Sequence, residues 1–279
     1  MTPPQRRSQN TDRRKSAASA VEEESLLARL DGAAERGEFS LVYQRQVAPD
    51  GAAVIGVETL LRWDSPGHGP VSPDVFIPLA ERRGAIGPIT RWVLGQAMDE
   101  MREVGDFRVG FNASALEFTN PAFVDEIAGL VARRGFDPTR LEIEVTEIAI
   151  LADAEVVHRN MDGLHALGVR IALDDFGAGY SSLNHLRLFP FDTLKIDKAF
   201  IDECSHSPQS AALIHAVVGL GKALGMKVVA EGVETEKQLT FLRLAGVDGL
   251  QGYLFGKATS AERLKYALAQ PPQPLRGGG

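Results

Sequence analysis

Two adjacent carboxylates, Asp174 and Asp175, follow the short apolar run Ile171-Ala172-Leu173 and precede a loop carrying Gly177 and Gly179. The run has the length and composition of a buried strand. Neighbouring side chains on a strand point to opposite faces, so both aspartates serve one site only where the strand is ending. Side by side they repel, and burying them is costly unless a cation lies between them. Taken alone, such a pair also fits a solvated turn. Three further residues share the position: Glu58, Asn112 and Glu144 each close a short apolar run. Together the five are hard oxygen ligands at the ends of four strands, a set that suits Mg²⁺ or Mn²⁺ better than Zn²⁺. Shared through bridging carboxylates, they suffice for two metals about 4 Å apart, an arrangement suited to splitting phosphodiesters.

Lys195 belongs to the next strand, where an ammonium could orient a water or neutralise developing charge. The competing reading is a salt bridge to Asp197, since residues two apart on a strand share a face. Glu231 could accept a proton or hold Lys195; otherwise it is a helix-start carboxylate with Glu234. Arg62, four residues beyond Glu58, could reach a phosphate, although a lone arginine is ordinarily a surface residue. Gln44 and Gln251 could hydrogen-bond a nucleobase, each a weak signal alone. Glu147, three residues after Glu144, is placed to fasten the Asp175-Phe176-Gly177 loop. The six histidines show no His-x-x-x-His spacing and end no strand; His165 and His215 read as helix-surface or packing residues. Gly177-x-Gly179 lacks the third glycine and the downstream acid of a dinucleotide fingerprint.

The elements that must position these residues repeat one theme of apolar run, polar end, loop and helix. Ser40–Gln44 and Ala53–Glu58 flank an Asp50-Gly51 turn, too close for a crossover helix, so they form an antiparallel hairpin. Further strands fall at Phe107–Phe111, Leu141–Ile143, Ile171–Leu173, Thr193–Leu194, Val228–Ala230 and Val247–Leu250. Amphipathic stretches such as Thr90–Val104, Ala154–Leu167 and Gln209–Leu224 fill the gaps. Alternating strands and helices imply a parallel sheet. Eight strands, one of them inverted, give an α/β fold, a TIM-like (β/α)₈ barrel with an antiparallel first strand. Its C-terminal rim carries the chemistry. An open doubly wound sheet would gather functional residues near one switch point, whereas these are spread over nearly every strand.

The 279 residues suit a single barrel domain, and 44% hydrophobic with 24% charged residues is ordinary for a soluble globular protein. Residues 1–20 carry five cations against Asp12 alone, a surplus of four, which leaves −11 of the net −7 on the remainder. That balance argues against nucleic-acid polymers and anionic membranes as partners. Residues 1–20 read as a disordered basic tail that could meet an acidic signalling partner, 21–270 as the domain, and 271–279 as a flexible C-terminal tail. From Val21 the pattern turns helical, with Leu26, Leu27 and Leu30 on one face. The single cysteine, Cys204, rules out an internal disulfide and reads as an incidental loop residue. No secretory signal and no spanning segment are present, so a cytoplasmic location without membrane insertion is expected.

A set of nine motifs, in order from Leu26 to Ala258, resembles the EAL-domain cyclic di-GMP phosphodiesterases. They are Tyr43-Gln44, Glu58-Thr59-Leu60-Leu61-Arg62-Trp63, Phe76-Ile77-Pro78-Leu79-Ala80-Glu81, Asn112-Ala113-Ser114 and Glu144-Val145-Thr146-Glu147. Asp174-Asp175-Phe176-Gly177-Ala178-Gly179-Tyr180-Ser181-Ser182-Leu183, Lys195-Ile196-Asp197, Ala230-Glu231-Gly232-Val233-Glu234-Thr235 and Gln251-Gly252-Tyr253 complete the set. The resemblance implies hydrolysis of cyclic di-GMP to linear pGpG with two divalent cations, Mg²⁺ or Mn²⁺. It implies Glu58, Asn112, Glu144, Asp174 and Asp175 as metal ligands, and Lys195 and Glu231, with Glu58, as catalytic groups. Gln44, Leu60, Arg62 and Gln251 would contact substrate, and Glu147 and Glu234 would brace loops. It also implies a homodimer formed around the loop after Asp175. Thr59 replaces the alanine of the signature triplet, and Arg45-Gln46 stands where Pro-Ile is usual. Arg82-Arg83 replaces a more acidic or neutral pair, and Ala258 sits near a customary proline. Missing carboxylates mark the silent members, so the complete set favours an enzyme. The alternatives are a catalytically silent cyclic di-GMP receptor or interaction module, and a barrel enzyme acting on another phosphate ester.

Overall fold

The computed structural model describes residues 23–151, 153–177, 183–204 and 207–270. Both expected tails therefore lie outside the described residues. Two compact units are present: one takes the described residues up to Ser40 together with Leu61–Ile89, the other Leu41–Leu60 with Thr90 onward.

In the smaller unit residues 23–30 are helical (α1), and Leu26 and Leu30 are buried. The Trp63 ring lies edge-on to both Phe39 and Phe76, with centroids 6.1 and 5.5 Å away. Its indole N–H donates to Glu38 Oε2 at 3.1 Å, and Arg29 and Arg36 hold the other Glu38 oxygen. The cations beside Glu38 and the indole donor keep its carboxyl below the usual range. A short strand not expected from sequence, β3 (Gly69–Val71), pairs antiparallel with the far end of β2 (Val54–Ser65). Helix α2 (Pro73–Arg83) starts on a proline and stops at Gly84, whose φ of 67° is left-handed.

The larger unit holds the expected barrel. Its eight strands run in the order β1 (Phe39–Val47), β9 (Gly249–Gln251), β8 (Lys227–Ala230), β7 (Thr193–Ile196), β6 (Arg170–Phe176), β5 (Leu141–Thr146), β4 (Arg108–Asn112), β2, and β1 pairs with β2 to close the ring. Adjacent pairs from β2 round to β9 are parallel, and β1 is antiparallel to β9. The first hairpin turns where Asp50 Oδ1 accepts the Ala52 and Ala53 N–H groups and Gly51 takes φ 78°.

Helices on the outside bury one stripe each. In α7 (Ala154–Leu167) Val157, Asn160, Met161 and Leu164 are buried, a 3–4 spacing that faces the sheet. Outward strand residues Val228, Ala230 and Leu250 meet Ile214 and Val218 of α10 (Pro208–Ala223) in one apolar cluster. Cys204 is part of that cluster: rather than a loop residue, it caps α9 (Lys198–Glu203) and is buried. Burial pushes its thiol pKa up, away from the thiolate that reacts. His165 pairs with Asp192 at 2.9 Å and His215 packs edge-on against Phe241, the packing roles expected of them. Among the described residues, no helix is long and apolar enough to cross a membrane.

Candidate active site

Strand parity brings the site together. Glu58, Asn112, Glu144, Asp174 and Lys195 share the inward face of the barrel strands, and Glu231 and Gln251 close the ring from the ends of β8 and β9. Strand pairing sets Asn112 opposite Glu144 and Thr146 opposite Asp174. Glu144 and Lys195 are completely buried, so their charges must find partners inside the barrel.

Lys195 answers this by sitting among three carboxyls. Its Nζ lies 2.5 Å from Glu144 Oε2, 3.1 Å from Asp174 Oδ1 and 2.8 Å from Glu231 Oε1. The competing pairing with Asp197 is not formed; Asp197 instead caps α9 by accepting the Ala199 N–H. Burial alone would pull the ammonium pKa down, but the charges of Asp174, Glu144, Glu231 and Glu58 outweigh it and hold Lys195 cationic. One cation cannot neutralise that many desolvated carboxyls. Burial, with the nearby charges of Glu58 and Asp174, therefore pushes Glu144 well above the usual carboxylate range. Burial and the same like charges raise Glu231 to about 8, against the lowering effect of Lys195.

Glu58 is held from two sides. Asn112 Nδ2 donates to Oε1 at 3.0 Å, and Gln251 Nε2 donates to Oε2 at 2.5 Å and reaches Gln44 Oε1 at 3.4 Å. Gln251 and Gln44 thus build the wall beside Glu58. Thr59, the departure from the signature triplet, is buried and leaves Glu58 undisturbed, at the cost of an unpartnered hydroxyl.

The two aspartates meet through a break in strand geometry. Asp175 adopts φ 54°, the left-handed region, and the β6–β7 register shifts between Leu173 and Phe176. The break places an oxygen of Asp175 with one from Asp174 and one from Glu231, all within 4.8 Å of one another. Burial and the Asp174 charge raise the Asp175 pKa. Glu231, read from sequence as a proton acceptor, thus also stands where a ligand would.

These residues fit a divalent cation. Among the described residues Glu144 Oε1 is buried without a hydrogen-bond partner, and the groups around it are hard oxygens or the Lys195 ammonium. A family model described as the EAL domain matches residues 27–258.

The chain belongs to the EAL domain family. It is 42% identical over 257 residues to the Pseudomonas aeruginosa bifunctional diguanylate cyclase/cyclic di-GMP phosphodiesterase MucR, covering 90% of this chain and 38% of that protein. It is 36% identical to the cyclic di-GMP phosphodiesterase PA2567 of the same organism, covering 81% and 39%. A solved structure described as the PaMucR phosphodiesterase in a c-di-GMP complex superposes with a TM-score of 0.81 at 43% identity, covering 86% of this chain and 99% of that one. The chain thus spans less than two-fifths of the length of these curated relatives.

Other residues expected from the EAL resemblance fall elsewhere. Leu60 closes the barrel portion of β2 and is half-buried. Arg62 lies in the smaller unit and donates to the Leu61 carbonyl at 2.9 Å. Glu147 opens α6 (Glu147–Leu151), and most of the loop it was expected to brace, residues 178–182, lies outside the described residues. Glu234 holds Lys198 in an ion pair at the start of α9. Arg45, in the customary proline position, donates to the Phe255 carbonyl and so ties β1 to the turn after Gln251. Sequence reading missed that tie, and although it quoted Gly252 in a motif it missed that the Val233 backbone packs against its Cα. Only the glycine carried a signal, as a residue without a side chain beside a site glutamine.

Proposed function

We propose that the chain is a phosphodiesterase that hydrolyses cyclic di-GMP to linear pGpG, with two divalent cations, Mg²⁺ or Mn²⁺, in the carboxylate ring. The observation that carries the reading is the complete ring, Glu58, Asn112, Glu144, Asp174, Asp175 and Glu231, converging around a buried Lys195. Bound there, the cations supply a Lewis acid for the phosphodiester and lower the pKa of the attacking water. Glu58, Asn112, Glu144, Asp174 and Asp175 hold them. Glu231 takes the proton of the water; cations held by the neighbouring carboxylates would offset the like charges of Asp174 and Glu58 and so favour its carboxylate form. Lys195 orients that water and offsets the negative charge that builds on the phosphate. Gln44, Leu60, Arg62 and Gln251 contact the substrate, and Glu147 and Glu234 brace the loops beside it. A homodimer formed around the loop after Asp175 and a cytoplasmic setting accompany this reading, and the basic N-terminal residues recruit a signalling partner.

The test is incubation of the purified protein with cyclic di-GMP and Mg²⁺ or Mn²⁺, followed by chromatography. Formation of pGpG that stops on chelation supports the enzyme. Tight binding of cyclic di-GMP with no pGpG would make the chain a receptor, and turnover of a different phosphodiester alone would make it another kind of barrel hydrolase.

A further inference from the structure

A non-glycine residue held at φ 54°, as Asp175 is, persists only where its surroundings over-determine it. Two restraints come from the sheet itself. Asp174 Oδ1 accepts the Asp175 N–H at 3.0 Å, and the buried Phe176 pairs with Ile196 beyond the register shift. A third comes from outside it. Gly177 is also left-handed, at φ 102°, and the Phe200 ring fills the space where a side chain at 177 would stand.

Phe200 belongs to α9, which is a fixed platform. Asp197, two residues beyond the buried Lys195, caps it by accepting the Ala199 N–H at 2.9 Å. Ile201 is completely buried, and its carbonyl accepts from the Gln238 side-chain amide at 3.3 Å. Lys198 packs its stem where a side chain at Gly232 would stand, and its ammonium pairs with Glu234. The same short helix therefore bears on the chain just after Asp175 and just after Glu231, two of the three residues whose carboxylate oxygens converge.

We propose that Phe200 is a positioning residue for the cation site: by packing on Gly177 it holds the turn that keeps the Asp175 carboxylate with those of Asp174 and Glu231. The proposal rests on the reading of that cluster as a place for a divalent cation. Without the ring the backbone at Gly177 gains room, and the strained turn at Asp175 loses one of its restraints. Alignment of the carboxylate then draws on the binding free energy of the cation, and affinity falls.

Calorimetric titration of metal-stripped protein with Mn²⁺ tests this in a double-mutant cycle with Asp175→Asn, each variant checked for its fold by circular dichroism. Phe200→Ala is expected to bind Mn²⁺ about tenfold more weakly than wild type. Phe200→Leu, which fills part of the same space, falls between the two and carries the test if the alanine variant does not fold. In the Asp175→Asn background the Phe200 substitution is expected to change affinity by less than about twofold, because the group it positions is gone. Val218→Ala thins the apolar cluster that Phe200 also packs against, and is expected to bind like wild type. Wild-type affinity in the folded Phe200 variant, an equal loss with and without the Asp175 carboxylate, or an equal loss in Val218→Ala overturns the role of Phe200 while leaving the cation site standing. No binding of Mn²⁺ to wild type overturns both.

Discussion

Asp175 shows how one residue buys a site at the expense of local strain. A non-glycine residue in the left-handed region costs about 1 kcal/mol, and aspartate is among those that bear it best. The return is that two consecutive carboxylates face one centre, which a regular strand forbids. The sequence pair alone favoured a turn; the φ of a single residue separates the two readings, and no residue type specifies it. Thr59 is strained in a different sense, its hydroxyl buried with no partner among the described residues. Thr59→Val keeps the shape and removes the unmatched group, and is expected to stabilise the fold by about 1 kcal/mol in urea denaturation. Equal or lower stability would mean that the hydroxyl is bonded in solution.

At the scale of elements, short segments hold the rim in place. Helix α4 (Ala115–Phe118) follows Asn112 and is fixed by a capping box between Ser114 and Glu117, whose carboxylate also accepts the Thr90 hydroxyl at 2.6 Å. Burial raises the Glu117 pKa to about 6, against the lowering effect of these hydrogen bonds. A carboxyl with a raised folded-state pKa contributes stability that is fully present below its unfolded pKa and is lost as pH rises through the folded one. The loss, at most about 2 kcal/mol, therefore falls between about pH 4.5 and 6. Glu117→Gln is expected to gain on wild type by up to that amount between pH 4 and pH 7; parallel stability at both pH values would remove the carboxyl from the balance.

Gly252 acts one element further on. Val233 N–H donates to the Gln251 carbonyl at 2.9 Å and Leu254 N–H to the Val233 carbonyl at 3.0 Å, leaving no room for a Cβ between them. Gly252→Ala is expected to lower stability by about 1–3 kcal/mol and to displace Gln251 from Glu58. A variant as stable as wild type would show that the backbones can part freely. The hairpin, the crossover helices and the polar residues gathered at the strand ends were legible because each has a local signal: Asp50-Gly51, amphipathic spacing, or a polar residue closing an apolar run. β3 was not, because Gly69-Pro70-Val71 is too short to show a period. The cations Arg108, Arg170 and Lys227 were missed because they open strands, and only the closed ring shows that the residues opening several strands meet at one mouth.

Over the whole molecule, the larger unit gathers carboxylates at one mouth of the barrel and guanidinium groups at the other. The carboxylate ring stores unfavourable energy: several acidic groups share one ammonium, and burial holds Glu144, Asp175 and Glu231 above their usual range. A cation that binds only the folded state relieves this and stabilises by mass action. Mn²⁺ at about a hundred times its dissociation constant is expected to add about 2.7 kcal/mol, read as a higher melting temperature that chelation reverses. No shift with Mn²⁺ or Mg²⁺ would argue that Lys195 alone serves the ring.

Asp174 touches both sides of the problem, paired with Lys195 at 3.1 Å and grouped with Asp175 and Glu231. The decisive measurement is the rate of pGpG formation from cyclic di-GMP with Mg²⁺ or Mn²⁺ by wild type and Asp174→Asn, each checked for an unchanged fold by circular dichroism. A metal-dependent wild-type rate that falls at least about a hundredfold in the folded variant is the expected result. A folded Asp174→Asn protein that turns over cyclic di-GMP as fast as wild type would contradict it.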